Sequence, residues 1–345
     1  MSSIAADDAT VPVAKYHGTG NDFVVVDAAE SIPDRRAFAR RVCDRSDGLG
    51  ADGVLFLALE PDYRPPRVVM TLVQPDGSTA PMCGNGARCA AAWAMTRTGA
   101  DAVMVDTQSG SRRAERVALA DGEDLTVDGP ADGPLEAVAD GEPPNATTAD
   151  GPPDAISVEM GEPAFEPAAV PVRADGPVVE RPLSELGLDG AEAAVDPEGT
   201  SELPASHPVT LVNTGVPHAI VFVDDVASVD LTTLGPAIRH ADAFPRGTNV
   251  TIASLDVGRA TDDHPVFAQR TYERGVEGET DACGTGAVAI AAAAAETGRT
   301  ETGVPVSVHP PGGDLRVAFD DLGRAVLAGP VVREFTTDLS VLGAQ

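Results

Sequence analysis

Met82-Cys83-Gly84-Asn85-Gly86-Ala87 occurs in the first half of the chain and returns two hundred residues later as Ala282-Cys283-Gly284-Thr285-Gly286-Ala287. Each copy leads into an alanine-rich, helix-forming stretch, Arg88 to Met95 and Val288 to Glu296. Each also follows a short polar run, Asp76-Gly77-Ser78-Thr79 and Gly278-Glu279-Thr280-Asp281. A cysteine and two glycines at a helix start form a compact chemical device. The glycines let backbone approach a ligand closely, and the unpaired N–H groups of the first turn bind an anion. The same helix end is electropositive and draws a nearby thiol toward the thiolate. A duplicated device predicts a duplicated fold, with one thiol and one anion-binding loop in each half. Two such thiols around one small molecule suit a reaction in which a carbon loses a proton from one face and gains one on the other, as in a two-base racemase or epimerase.

The helices set the architecture. Ala87 to Met95 presents small side chains on nearly every face, so it has no single stripe to lay on a flat sheet. Such a helix fits inside a curved sheet, where little room remains. Strand-like runs surround each copy. In the first half they are Val11 to Val26, broken by the turn His17-Gly18-Thr19-Gly20-Asn21, then Val54–Leu59, Arg67–Val73, Val103–Asp106 and Arg116–Leu119, with a helical segment at Arg35–Asp44. The second half offers Ile156–Met160, Val209 to Val223 broken by Asn213–His218, then Asn249–Leu255, Phe267–Glu273, Val304–Val308, Leu315–Phe319 and Arg324–Leu327. The expected class is α+β, with two pseudo-symmetric domains, each a curved, mostly antiparallel sheet or barrel wrapped around a central helix. An N-terminal domain, 1–153, carries Cys83 and a C-terminal domain, 154–330, carries Cys283, with the tail 331–345 packing back on the first. Two stretches rich in Asp, Gly, Pro and Ala, 121–153 and 173–206, read as acidic surface insertions, the second with a short helix at Leu183–Leu188.

Composition narrows the setting. The 345 residues are 43% hydrophobic, which excludes wholesale disorder despite a formal charge of −30. Asp and Glu number 54 against 24 Lys and Arg, and Lys15 is the only lysine. A surface that acidic repels itself unless salt screens it, so the chain is expected to be halophilic. No basic stripe exists to neutralise phosphate, which argues against nucleic acid and anionic membranes as partners. The cysteines, Cys43, Cys83, Cys89 and Cys283, show no zinc spacing, and no metal site is expected. Met1 to Thr10 lacks the basic and apolar regions of a signal peptide, and no apolar run approaches spanning length. The expected location is cytoplasmic, with reduced thiols. The oligomeric state is open, and a homodimer is allowed.

Further segments carry a resemblance. Lys15-Tyr16-His17-Gly18-Thr19-Gly20-Asn21-Asp22-Phe23 resembles the opening signature of diaminopimelate epimerases, and Asp76-Gly77-Ser78 with Met82 to Cys89 resembles their first catalytic motif. Thr214-Gly215-Val216-Pro217-His218, Tyr272-Glu273-Arg274-Gly275, Ala282 to Ala287 and Gly312-Gly313-Asp314-Leu315 are similar to the later ones, in the same order. The blocks run from Lys15 to about Pro330. The resemblance implies two pseudo-symmetric domains with the site in their cleft, and interconversion of LL- and meso-diaminopimelate on the route to lysine, without pyridoxal phosphate or metal. The lone lysine agrees, since a Schiff-base cofactor needs one and Lys15 lies just before a glycine turn rather than in anything like a pyridoxal phosphate site. No cofactor is expected.

The resemblance also implies roles. Cys283 is the proton acceptor toward the LL substrate and Cys83 the proton donor, exchanging roles in reverse. Gly84, Asn85, Gly284 and Thr285 hold the α-carboxylate; Asn21, Gln74, Asn249, Glu273 and Arg274 line the pocket, with Arg274 suited to a distal carboxylate and Glu273 to an ammonium. His218 and Glu273 tune the cysteines. Cys43 and Cys89 lack the glycine context and are assigned to packing. Three positions depart from the pattern. Gln74 stands where many members have asparagine, Val216 where many have a substrate-contacting asparagine, and Gly53 where some have glutamine. Glu277 adds one residue to the loop before Cys283. The rival readings are a proline racemase or hydroxyproline epimerase, a phenazine-type isomerase, which lacks the cysteine pair, and a non-catalytic amino-acid-binding or thiol-redox protein.

Overall fold

The computed structural model describes residues 10–117, 154–188, 203–261 and 263–341. The expected insertion 121–153 and the middle of 173–206 lie outside the described residues. The chain divides into two units, one built from residues up to Arg116 together with the segment from Pro330 onward, the other running from Ser157 to Gly329.

In the first unit the chain forms β1 (Thr10–Gly18), β2 (Asn21–Asp27), α1 (Arg35–Val42), β3 (Gly53–Glu60), β4 (Arg67–Val73), β5 (Thr79–Ala80), α2 (Gly84–Thr98), β6 (Ala102–Thr107) and β7 (Gly110–Val117). After β8 (Asp154–Gly161) and β9 (Arg181–Pro182), the second unit repeats the series. It comprises β10 (Pro208–Asn213), β11 (Pro217–Phe222), α3 (Leu231–Arg239), β12 (Asn249–Leu255), β13 (Val266–Glu273), β14 (Gly278–Thr280), α4 (Gly284–Glu296), β15 (Val306–His309) and β16 (Leu315–Phe319). The last strand is β17 (Ala325–Ser340).

The pairings repeat as well. β1–β2, β3–β4, β4–β5 and β6–β7 are antiparallel, whereas β2–β3 and β4–β6 are parallel. In the second unit β10–β11, β12–β13, β13–β14 and β15–β16 are antiparallel, and β11–β12 and β13–β15 parallel. A parallel pair needs a crossover, and a helix supplies each one: α1 and α2 in the first unit, α3 and α4 in the second. Each unit is therefore a mostly antiparallel α+β sheet, and the two are pseudo-symmetric in topology.

The central helices explain the curvature. Every residue of α2 from Gly84 to Met95 is buried, as is every residue of α4 from Gly284 to Ala294. α2 touches β1, β2, β3, β4 and β6, and α4 touches β10, β11, β12, β13, β15 and β16. A helix enclosed by strands has no solvent face, so it carries alanine where a surface helix would carry charge. α1 and α3 share a start signal: Asp34 accepts from the N–H groups of Arg36 and Ala37, and Asp230 from those of Thr232 and Thr233.

The structure differs from these expectations at four points. Helix α3 has no counterpart in the sequence reading. The described ends of 173–206 are not simply surface, because Val178, Leu183, Leu186, Leu188 and Leu203 are buried in the core of the second unit. The short helix expected there is a single 3-10 turn, Leu183–Leu186, ended by Gly187 at φ 73°. Finally, the strand expected at Arg324–Leu327 continues to Ser340. Its first residues pair with β16, and residues 332–340 pair with β1.

Candidate active site

In the first unit, the hairpin turn between β1 and β2 consists of Thr19 and Gly20, at φ 53° and 87°. Two successive residues with positive φ match the twist of a tight hairpin, at a cost for β-branched Thr19. The cost is met by Arg88 of α2, a fully buried side chain whose Nη2 donates to Thr19 Oγ1 at 2.9 Å. Burial pulls the Arg88 guanidinium down to about 10, which leaves it charged at neutral pH. Asn21 follows the turn, and its Oδ1 accepts from Asn85 Nδ2 in the first turn of α2. Cys83 is the N-cap of that helix, with extended backbone at φ −148°, and its Sγ lies 3.4 Å from Gly86 N. Asn21, Asn85, Gly84 and Cys83 are thus assembled around one helix start. Gln74 belongs to the neighbouring turn, where its Oε1 accepts from Ser78 Oγ at 2.9 Å.

In the second unit, Cys283 caps α4 in the same extended conformation, at φ −129°, but is buried and makes a different contact. Its Sγ lies 3.4 Å from Thr285 Oγ1, and Thr285 Oγ1 lies 3.0 Å from His218 Nε2. A Cβ at Gly286 would sit 2.5 Å from Gln269 Nε2, so a larger residue there would displace the Gln269 amide. Gln269 Nε2 donates to the Cys283 carbonyl at 3.1 Å.

The hydrogen bonds determine the histidine tautomer. Asn249 Oδ1 accepts from the Arg274 N–H at 2.7 Å, so its Nδ2 is the group facing His218 Nε2 at 3.2 Å. A donor there makes Nε2 an acceptor and puts the proton on Nδ1, which donates to Thr251 Oγ1 at 3.0 Å. The Thr285 hydroxyl therefore has two acceptors within reach, the imidazole and the Cys283 sulfur. Nε2 has one lone pair, shared between Asn249 Nδ2 and the hydroxyl, so the hydroxyl can turn to the sulfur when the sulfur is a thiolate.

Burial first, and the Arg274 charge second, hold His218 down at about 3. The imidazole is neutral throughout the neutral range. In the unfolded chain it returns to about 6.5. Because the folded value is the lower one, this stability contribution is complete above about 6.5 and falls as pH drops toward 3, where the unfolded chain binds the extra proton. Urea midpoints measured at pH 7 and pH 5 are expected to differ more in the wild-type protein than in His218→Gln; equal slopes would contradict the assignment.

Arg274 lies at the β13–β14 turn, and Glu273 ends β13 with its Oε1 accepting from Thr280 Oγ1 at 2.6 Å. Burial first, then the neighbouring Arg239, lower the Arg274 guanidinium below its ordinary value, while Glu277 opposes them. Glu277, the extra loop residue, accepts from Arg239 Nη2 at 2.8 Å and from Gly275 N at 3.1 Å. The residues expected in this half, His218, Asn249, Glu273, Arg274, Cys283, Gly284 and Thr285, are linked through this network or adjoin it in the chain. Cys43 and Cys89 stand apart, with thiols pushed up to about 12 by burial.

Comparison with known proteins decides the family. The profile described as diaminopimelate epimerase matches residues 13–127 and 210–334. The diaminopimelate epimerase of Methanocella arvoryzae is 35% identical over 340 residues, covering 96% of this chain and 97% of its own. The chain belongs to the diaminopimelate epimerase family. The diaminopimelate epimerase of Moorella thermoacetica is likewise 35% identical, over 94% of this chain and 97% of its own. Among solved structures, a phenazine biosynthesis protein of Bacillus anthracis has a TM-score of 0.60 at 13% identity, covering 96% of this chain and 99% of its own. A probable proline racemase of Agrobacterium radiobacter has a TM-score of 0.56 at 14% identity, covering 95% and 92%. At such identities these two share the fold alone.

The departures from the diaminopimelate epimerase pattern have physical settings. Gln74 uses its extra methylene to reach Ser78 across the turn. Val216 is half-buried, and its carbonyl accepts from Thr214 N at 3.1 Å, so it contributes backbone rather than a side-chain amide. A Cβ at Gly53 would lie 2.6 Å from Leu72 Cδ1, so the glutamine of other members cannot enter here unless Leu72 moves. Asp52, Thr251, Thr271 and Gln269 carry much of the network and were not singled out in the sequence.

Proposed function

We propose that the protein is a cofactor-independent epimerase interconverting LL- and meso-2,6-diaminopimelate, with one thiol contributed by each half. The observation that carries the reading is the pair of cysteine-capped helix starts in a chain whose family is established. Cys283 as thiolate takes the α-proton of the LL substrate. Its electron pair passes onto the carbon and its carboxylate, and the Cys83 thiol returns a proton to the opposite face. One C–H bond breaks and one forms, so no redox partner is needed. N–H groups of Gly84, Asn85, Gly284 and Thr285 supply donors for the charge that develops on the carboxylate. The Thr285 hydroxyl, able to follow the proton on Cys283, suits a sulfur that must act as base in one direction and acid in the other. His218 and Glu273 act through the cysteine surroundings. Arg274 is the partner for the distal carboxylate.

Lys15 is buried, with its ammonium engaged by Asp22 and the Gly50 carbonyl, which supports a reaction without a lysine-bound cofactor. The test is conversion of LL-diaminopimelate to the meso isomer, followed by chiral chromatography in reducing buffer. Turnover of proline or hydroxyproline without turnover of diaminopimelate would overturn the reading.

The setting is cytoplasmic and salt-rich. Among the described residues no helix is long and apolar enough to cross a membrane. The one lysine is buried, so arginines are left to offset the acidic exterior. Activity is expected to be high in molar salt and to collapse in dilute buffer, as unscreened carboxylates repel. Undiminished turnover and melting temperature after desalting would contradict a halophilic design.

A further inference from the structure

Lys15 is 3% exposed, and its ammonium lies 2.6 Å from Asp22 Oδ2. It sits where the register of β1 against β17 slips between Lys15 and Tyr16, the kind of bulge that re-aims a side chain. Arg45 completes the cluster, its Nη2 lying 3.0 Å from Asp22 Oδ1 and 2.8 Å from Asp52 Oδ1. The two acids are also tied through backbone. Asp22 N donates to Asp52 Oδ2 at 3.1 Å, and Asp52 N donates to the Asp22 carbonyl at 2.8 Å. Two acids and two bases thus fasten the start of β2 to the loop that enters β3.

One atom of this cluster reaches the first half-site: Asp52 Oδ2 accepts from Asn21 Nδ2 at 3.1 Å. A carboxylate can only accept, so Asn21 must turn its NH2 toward Asp52 and its oxygen toward Asn85. Asn85 must then meet that oxygen with its own NH2. Its Oδ1 is left buried and without a hydrogen-bond partner among the described residues. A buried acceptor without a partner is costly unless a ligand satisfies it.

We propose that Asp52, held by Arg45 and by the Lys15-paired Asp22, is a positioning residue that sets the polarity of the Asn21–Asn85 amide pair, so that the Asn85 side chain presents an acceptor to the substrate's α-ammonium while its backbone N–H serves the carboxylate. Without Asp52 both amides are free to flip together, and the half-site then offers the wrong partner at the same place. Lys15, the sole lysine of the chain, is the buried member of this assembly and balances its two acids together with Arg45.

The inference rests on Asn85 as a substrate contact, and wild-type turnover of diaminopimelate tests that reading separately. Asp52→Ala is expected to raise KM about tenfold or more with a smaller change in kcat, as for loss of binding made equally in ground and transition states. In an Asn85→Ala background the same substitution is expected to change KM little, because its target is gone. Equal effects in the two backgrounds, or an unchanged KM in the first, would overturn the proposal. Asp52→Asn keeps the size of the side chain while removing the obligate acceptor, and serves the same cycle if the alanine variant fails to fold. The side-chain amide NMR signals decide the matter without turnover. Both the Asn21 and Asn85 NH2 resonances are expected to shift in Asp52→Asn, and an unmoved Asn85 signal would overturn the proposal.

Discussion

Cys83→Ser and Cys283→Ser are each expected to lower epimerisation by about 10³–10⁴-fold while leaving the fold and melting temperature nearly unchanged. Serine keeps the size and the N-cap geometry of each helix start, but its hydroxyl cannot ionise near neutral pH. The two variants should differ in one respect. With Cys283 intact, Cys83→Ser can still loosen the α-proton of the LL substrate, so solvent exchange there should outlast inversion. Cys283→Ser should lose both. Exchange followed by NMR beside product formed by chromatography separates the cases. Near-wild-type turnover in either variant would remove that sulfur from the chemistry.

Arg274→Ala is expected to raise KM for diaminopimelate on the order of 10²-fold, equivalent to roughly 2–4 kcal/mol for truncating one partner of a desolvated charge pair. The guanidinium is half-buried beside Arg239, and its backbone N–H is fixed by Asn249 Oδ1. Two neighbouring cations with one counter-charge, Glu277, leave room for a second anion. The distal carboxylate proposed as the partner of Arg274 would supply it. The change should fall mainly on KM, because the contact lies away from the reacting carbon. Arg274→Lys keeps the charge but not the planar fork, and should recover only part of the loss. A steady-state KM within twofold of wild type for Arg274→Ala would refute this role.

The duplication was legible because the cysteine-glycine phrase and the alanine-rich helix after it are both unusual, and a helix with small side chains on nearly every face has few places to pack. Helix α3 was hidden by Gly235 and Pro236 at its centre, residues that ordinarily argue against a helix. Its packing explains the glycine, since a Cβ at Gly235 would lie 2.5 Å from the Tyr272 ring. Its helical pattern survives in Leu231, Leu234 and Ile238, which are buried, and in the Asp230 cap. The long continuation of β17 was obscured because its second half is largely exposed and bears Arg333, Glu334 and Asp338. Its pairing with β1, distant in sequence, shows it as strand.

The site divided along similar lines. Cysteines, glycines and the Glu273-Arg274 pair stand in short motifs and could be named. Thr251 and Thr271 could not, because threonine in a strand is ordinary and only the 3.1 Å contact between their hydroxyls makes them part of the histidine's surroundings. Asp52 was hidden in the same way, as one acid among many in a chain with 54.

The most direct test of the two-thiol account is LL-diaminopimelate incubated with the reduced wild-type protein in concentrated salt and deuterium oxide. The account predicts meso product carrying one deuterium at the inverted carbon, formed without added cofactor. Folded, reduced protein that neither exchanges the α-proton nor inverts the centre would contradict it.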